Sequence, residues 1–205
     1  MMDEPEEKYA MAFFDGQNLF RHAKDAFGHH HPNYDPIKLH AAVCETNGWL
    51  PNLVRFYTGV PDPARSPMWA RYWNNRVIAL KRSGVHVTTR KIRYREDHVD
   101  LPSGIRETVL TTQEKGIDVR LALDVISRAR TKQFDVAVIY SQDQDFTEIV
   151  KEVKAISIQQ DRWISIVSAF PVGSTATVER GINGAKWFKM DEAFYNACLD
   201  PHDYR

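Results

Sequence analysis

An α/β sandwich with a largely parallel sheet is the fold class this sequence predicts, on two observations. Short apolar runs rich in β-branched and aromatic residues alternate with stretches of helical period along the whole chain. Two of those runs, AMAFF at 10–14 and VAVIY at 136–140, are nearly continuous, as suits strands covered by helices on both faces.

In chain order, the first strand is expected over Tyr9 to Phe14 and leads into a helix over Asn18 to Phe27. A second helix spans Pro36 to Asn47, with proline in its first turn. Strand Leu53 to Thr58 and helix Met68 to Ser83 follow. The run Val85 to Tyr94 alternates between two unlike faces, which predicts a strand near the sheet edge. Glu96 to Gln113, holding Pro102 and Gly104, reads as an excursion, with a hairpin as its simplest form. Helix Ile117 to Arg130, strand Asp135 to Tyr140, helix Phe146 to Ile158, strand Trp163 to Val167, a weaker strand Lys186 to Met190 and helix Asp191 to Leu199 complete the pattern. There is no internal repeat or linker, so one domain over residues 1–205 is expected, with its core at about 9–190 and a short acidic tail before it.

The 205 residues are 43% hydrophobic and 26% charged, which disfavours disorder and allows a sizeable core. Lys+Arg and Asp+Glu are 27 each, so a hold on nucleic acid must come from a local basic face. Cys44 and Cys198 are far apart without a CxxC, so neither a disulfide framework nor a cysteine zinc site can be read from them, and two buried thiols are expected. No run approaches the roughly 20 apolar residues that span a bilayer. With the acidic start MMDEPEEK, the expectation is a cytoplasmic protein with no membrane partner.

Three acidic clusters carry the chemistry. In FFDGQN (13–18) an apolar strand delivers Asp15 into a turn at Gly16, with Asn18 at the helix start. The carboxyl end of a strand is where open α/β sheets bind ligands, although Asp15 or Asn18 would serve equally as a helix cap. In EKGIDVRLALDVI (114–126) Asp118 occupies a first helical turn, where a dipole role competes with a site role. Asp124 lies on another face of that helix and reads as a solvated or structural charge. In VAVIYSQDQDF (136–146) a strand runs out into Ser141, Asp143 and Asp145, whose mutual repulsion favours a cation over a plain turn. Carboxylates without His or Cys are hard ligands suited to Mg²⁺ or Mn²⁺, which points to metal-assisted phosphodiester hydrolysis.

DGQN at 15–18, KGIDVRLALD at 115–124 and SQDQDF at 141–146, in that order, resemble the three signatures of NYN domains, the PIN-like metal-dependent ribonucleases that include the LabA-like group. The likeness runs from about Ala10 to Met190. It implies a three-layer, Rossmann-like α/β/α sandwich, Mg²⁺ or Mn²⁺ held by carboxylates, and RNA, single-stranded in the reading favoured here, as substrate. Carried over by position, Asp15, Asp118 and Asp143 match the metal-binding and catalytic carboxylates, Asp145 is a fourth, and Asn18 is a polar companion to metal or phosphate. Gln142 departs from the family's usual glycine, which puts the loop shape and substrate access in question.

For RNA contact the sequence offers Lys115 beside the acids, the hydroxyl of Ser141, and a basic stretch comprising Lys81, Arg82, Arg90, Lys91, Arg93 and Arg95 with Tyr94 among them. A solvated edge strand explains that stretch equally well. Arg21, Lys24 and Arg120 also lie near the acids in sequence. Trp69, Tyr72, Trp73 and Arg76 at helical spacing are expected to pack against the core, or across a homodimer, rather than stack on bases. His29 to His31 are expected in a loop, and Ser174, Thr175 and Thr177 either touch phosphate or cap a helix. Two rival functions remain: a recognition module that keeps the acidic pocket without turnover, and a Mg²⁺-dependent phosphatase, disfavoured because DGQN lacks a second carboxylate.

Overall fold

A computed structural model describes residues 3–100, 106–113 and 116–205. Six parallel strands form one sheet: β1 (Tyr9–Asp15), β2 (Leu50–Val60), β3 (His86–Lys91), β6 (Val136–Tyr140), β7 (Ser165–Pro171) and β8 (Lys186–Met190). Their spatial order is β3-β2-β1-β6-β7-β8, with β4 (Arg93–Asp100) and β5 (Arg106–Gln113) paired as a separate antiparallel hairpin. The expected α/β sandwich is therefore present. The chain winds outward from β1 to β3, then returns to β6 on the other side of β1 and winds the opposite way. The seam between β1 and β6 is thus the point where strand order reverses, and there the carboxyl ends open a crevice.

Alternation along β1 assigns its residues to two cores. Ala10, Ala12 and Phe14 pack with residues of α1 (Gly16–Phe27), α2 (Pro36–Asn47) and α3 (Pro67–Arg82), and with Tyr195 of α6 (Glu192–Ala197). Met11 and Phe13 pack on the other face with α4 (Ile117–Arg130) and α5 (Thr147–Gln159). Burial on both faces explains why β1 and β6 lack polar alternation. Just below the crevice, Phe14 and Tyr140 are paired in register and stack with ring centroids 3.8 Å apart, fixing the two strand ends against each other.

Several boundaries differ from the sequence expectation for identifiable reasons. The third strand does not run to Tyr94: β2 ends at Val60, Pro61 follows, and after a last bond from the Ile92 amide to the Val60 carbonyl the chain leaves the sheet for the hairpin. The fifth sheet strand is shifted from Trp163–Val167 to Ser165–Pro171, because the small residues Ser168 and Ala169 hide a buried strand from an apolar count. Phe146 belongs to a 3₁₀ turn, Gln144–Phe146, ahead of α5. Pro102, Gly104 and Lys115 lie outside the described residues. Cys44 and Cys198 are free and buried, as expected. Among the described residues no helix is long and apolar enough to cross a membrane.

Tyr72, Trp73 and Arg76 are buried, Arg76 donating to the Tyr34 carbonyl at 2.5 Å, so this face of α3 serves the core. His29 is tied to Asn196 and stacked on Tyr195. Thr175 and Thr177 bond to Asp25 and Ala26 near the end of α1, which commits them to loop docking.

Candidate functional site

Asp15 is the last residue of β1, and its carboxylate does two jobs. Oδ1 accepts the Asn18 amide at 3.2 Å, capping α1, while Oδ2 accepts the Ser141 hydroxyl at the same distance. The capping and site readings of Asp15 are therefore compatible. Gly16 is required by close approach: a Cβ there would stand 2.7 Å from the Phe56 ring. A side chain at this position would push α1 off the sheet.

Ser141, expected to touch substrate, is buried, and its hydroxyl is engaged on both sides: it donates to Asp15 and accepts the Asp143 amide at 3.2 Å. It acts as a spacer between the two aspartates. Ser141 is itself held by its carbonyl, which accepts the Ser168 hydroxyl at 2.7 Å. Asp143 caps the 3₁₀ turn by accepting the Asp145 amide at 3.0 Å. Asn18 ties the first turn of α1 to this loop, its Oδ1 accepting the Gln142 amide at 3.0 Å.

Asp15, Asp118 and Asp143 line one cavity of about 160 Å³ together with Gln17, Asn18 and Arg21. Asp118 reaches it from the exposed first turn of α4. Asp145 is exposed and is not part of the cavity wall. Arg90, Lys91 and Arg93 are exposed at and just beyond the end of β3, two strands from β1 and so roughly 10 Å along the same sheet edge. Gln17, which sequence reasoning passed over, was signalled only by its place inside DGQN.

Electrostatics set Asp15 apart. Burial pushes its carboxyl up from the ordinary 3.8 to about 6; the Asn18 amide and Ser141 hydroxyl act against this, while the negative charges of Asp143 and Asp118 add to it. No cationic side chain is hydrogen-bonded to Asp15 among the described residues, and Arg21, the cation on the cavity wall, is solvent-exposed.

Gln142 does not obstruct the cavity. Its amide nitrogen turns away and donates to the Val178 and Arg180 carbonyls at 3.0 Å, while that of Gln144 donates to the Gln142 and Gly181 carbonyls, also at 3.0 Å. Together they fasten the loop between β7 and β8 behind the site, a role unavailable to glycine.

The donor chemistry fits a hard divalent cation: carboxylate oxygens, one buried and destabilised by two like charges, are what such an ion would relieve. Among the described residues no three His, Cys, Asp or Glu side chains form a ready-made metal cage. Mg²⁺ demands less, because it keeps several waters and takes one or two carboxylates.

The NYN domain family model matches residues 9–176, and the chain belongs to that family of PIN-like nucleases, which are typically metal-dependent. No curated protein matches the sequence. Among solved structures, a Vibrio parahaemolyticus protein of unknown function shares the fold with a TM-score of 0.50 at 14% identity, over 93% of this chain and 98% of that one. MurG from Acinetobacter baumannii is a looser match, with a TM-score of 0.33 at 10% identity over 89% of this chain and 45% of that one, and carries no weight.

Proposed function

We propose that this protein is a divalent-metal-dependent ribonuclease that hydrolyses phosphodiester bonds of single-stranded RNA. Asp15, Asp118 and Asp143 hold Mg²⁺ or Mn²⁺, with Asp145 contributing from outside the cavity wall. The observation that carries this reading is Asp15 itself: a buried carboxylate at the strand-order reversal, sharing its cavity with two further aspartates. A fold does not retain such a charge for stability, because burial without a compensating cation costs free energy.

Bound there, the ion would supply Lewis-acid polarisation of phosphate oxygens and acidify water. The chain's own residues do the rest. Ser141 ties the Asp15 carboxylate to the backbone amide of Asp143, and Asn18 locks α1 to the Asp143 loop. Arg21, on the cavity wall, offers a positive charge to an entering phosphate. Lys115, three residues before Asp118 in the sequence, is a second candidate cation. Arg90, Lys91 and Arg93 stand further along the same edge, where a polymer would pass rather than where it is cut.

A second reading is a recognition module that keeps the acidic cavity and binds RNA without cutting it. Labelled single-stranded RNA, single-stranded DNA and a phosphate monoester, each incubated with Mn²⁺, Mg²⁺ or EDTA, separate the readings. The nuclease reading expects RNA cleavage that requires metal and falls more than about a hundredfold in Asp143→Asn, a larger loss than changes around metal ligands usually bring. RNA binding without turnover in any metal supports the module, and monoester hydrolysis alone would indicate a phosphatase.

A further inference from the structure

We infer that this chain carries a nucleobase subsite beside its acidic cavity, sized for a single pyrimidine ring, which seats one base of the RNA strand; this rests on the nuclease reading above. A second cavity of about 160 Å³ is lined by Phe20, Pro32, Pro61, Trp69 and Ile92, with Trp73 at its base. Gln17 lines both cavities, so the two are contiguous across the first turn of α1.

The lining decides what fits. Phe20 and Trp69 stand with ring centroids 6.5 Å apart, and the prolines and Ile92 complete an apolar wall with no ionisable side chain in it. Such a surface takes the face of an aromatic ring and rejects a phosphate. Size narrows the choice: a cavity of about 150 Å³ holds one benzene, whereas sites for drug-sized ligands begin near 300 Å³. One six-membered ring fits, while a fused purine or a whole nucleotide must protrude.

The surroundings supply what a nucleotide needs beyond its base. Ile92 stands between Lys91 and Arg93 in the chain, both exposed, so the segment that lines the cavity also presents two cations to solvent, available to a sugar-phosphate chain. The side-chain amide of Gln17, half-buried and donating to the Gly59 carbonyl only at 3.4 Å, stands on the shared wall with a donor and an acceptor able to meet a base edge. Trp69 differs here from its neighbours on α3: Tyr72 and Trp73 are fully buried, whereas Trp69 is partly buried, packing on the core with one side and lining this cavity with the other. Stacking on such side chains is how single-stranded polymers are held beside charged grooves.

The test uses the full chain carrying Asp143→Asn, with Mg²⁺ present so that RNA is bound without being cut, and reads the anisotropy of labelled decamers. Oligouridine should bind more tightly than an abasic ribose-phosphate decamer and than oligoadenylate. Trp69→Leu and Ile92→Trp should each weaken oligouridine about tenfold, the effect of losing one stacked base, and erase its advantage over the abasic strand. Ile92→Trp fills the cavity without removing a core side chain, so it stands in if Trp69→Leu fails to fold. If wild-type protein cuts RNA but the variants keep the parental affinity, or the abasic strand binds equally, the subsite is wrong and the nuclease reading stands. If oligoadenylate binds as tightly as oligouridine, the single-ring assignment is wrong. If the unsubstituted protein neither binds nor cuts RNA, the nuclease reading fails and takes the subsite with it.

Discussion

Two buried aspartates in this molecule have opposite surroundings. Asp124, on α4, accepts from Arg55 Nη2 at 2.9 Å, from the Tyr57 hydroxyl at 2.8 Å and from Arg120 Nη2 at 2.8 Å. Burial alone would push its carboxyl up, but the Tyr57 hydroxyl and the two guanidinium groups outweigh that and hold it below its ordinary value. Asp15, at the end of a strand two positions across the sheet from β3, receives one hydroxyl and one amide, and faces two more carboxylates. A buried charge that the fold satisfies internally is structural. One that it leaves short of positive charge is where an external cation or substrate contributes the missing interaction.

The largest expected consequence falls on the satisfied member. Asp124→Ala strands the Arg55 guanidinium among buried groups, and denaturant unfolding should show a loss of about 3 kcal/mol or more. Little loss would mean that the Arg55 charge is hydrated and that the contrast between the two aspartates is overdrawn.

Asp15→Asn should act in the opposite direction. A folded-state value raised from 3.8 to about 6 means that Asp15 contributes stability below its unfolded value and loses it as pH rises through the folded one, by about 3 kcal/mol in all. Buried His40, on the sheet's other core, runs the other way: burial lowers it from 6.5 to about 4, so its stability is present above the unfolded value and is lost as pH falls toward 4, by a similar amount. The two slopes nearly cancel between pH 4 and 6. Without divalent ions, unfolding of the wild-type protein should be flat across that window on account of these two groups, whereas Asp15→Asn should gain steadily up to about 3 kcal/mol. Parallel profiles would show that Asp15 is not buried at such a cost.

The smallest effect concerns the spacer. Ser141→Ala removes the hydroxyl that donates to Asp15 and accepts from the Asp143 amide. It should lower stability by about 1 kcal/mol and raise the Asp15 carboxyl further, which carbon-detected titration of that side chain would read. An unmoved titration would make Ser141 a packing residue only.

Strands β1 and β6 were legible in the sequence because burial on both faces leaves continuous apolar runs. Asp15 and Asp143 were legible because each follows such a run into a turn. The order of strands was not, since nothing local states that β6 returns beside β1. The Asp124 cluster was also hidden: Arg55 is 69 residues away, and neither segment shows the other. Gln142 drew notice as a departure from glycine, yet its role depends on carbonyls of a distant loop that only the fold brings near. That Trp69 packs against the core was legible from its helical spacing, but its place on a cavity wall was not, because the other lining residues come from distant segments.

Calorimetric titration of Mn²⁺ at pH 6 and pH 8, on wild-type protein and Asp15→Asn, tests the contrast most directly. If the unsatisfied Asp15 charge recruits the cation, the wild type binds Mn²⁺ with proton release at pH 6 but not at pH 8, and binding is at least about tenfold weaker without the Asp15 carboxylate. Equal affinity in the two proteins, or none in either, would contradict it.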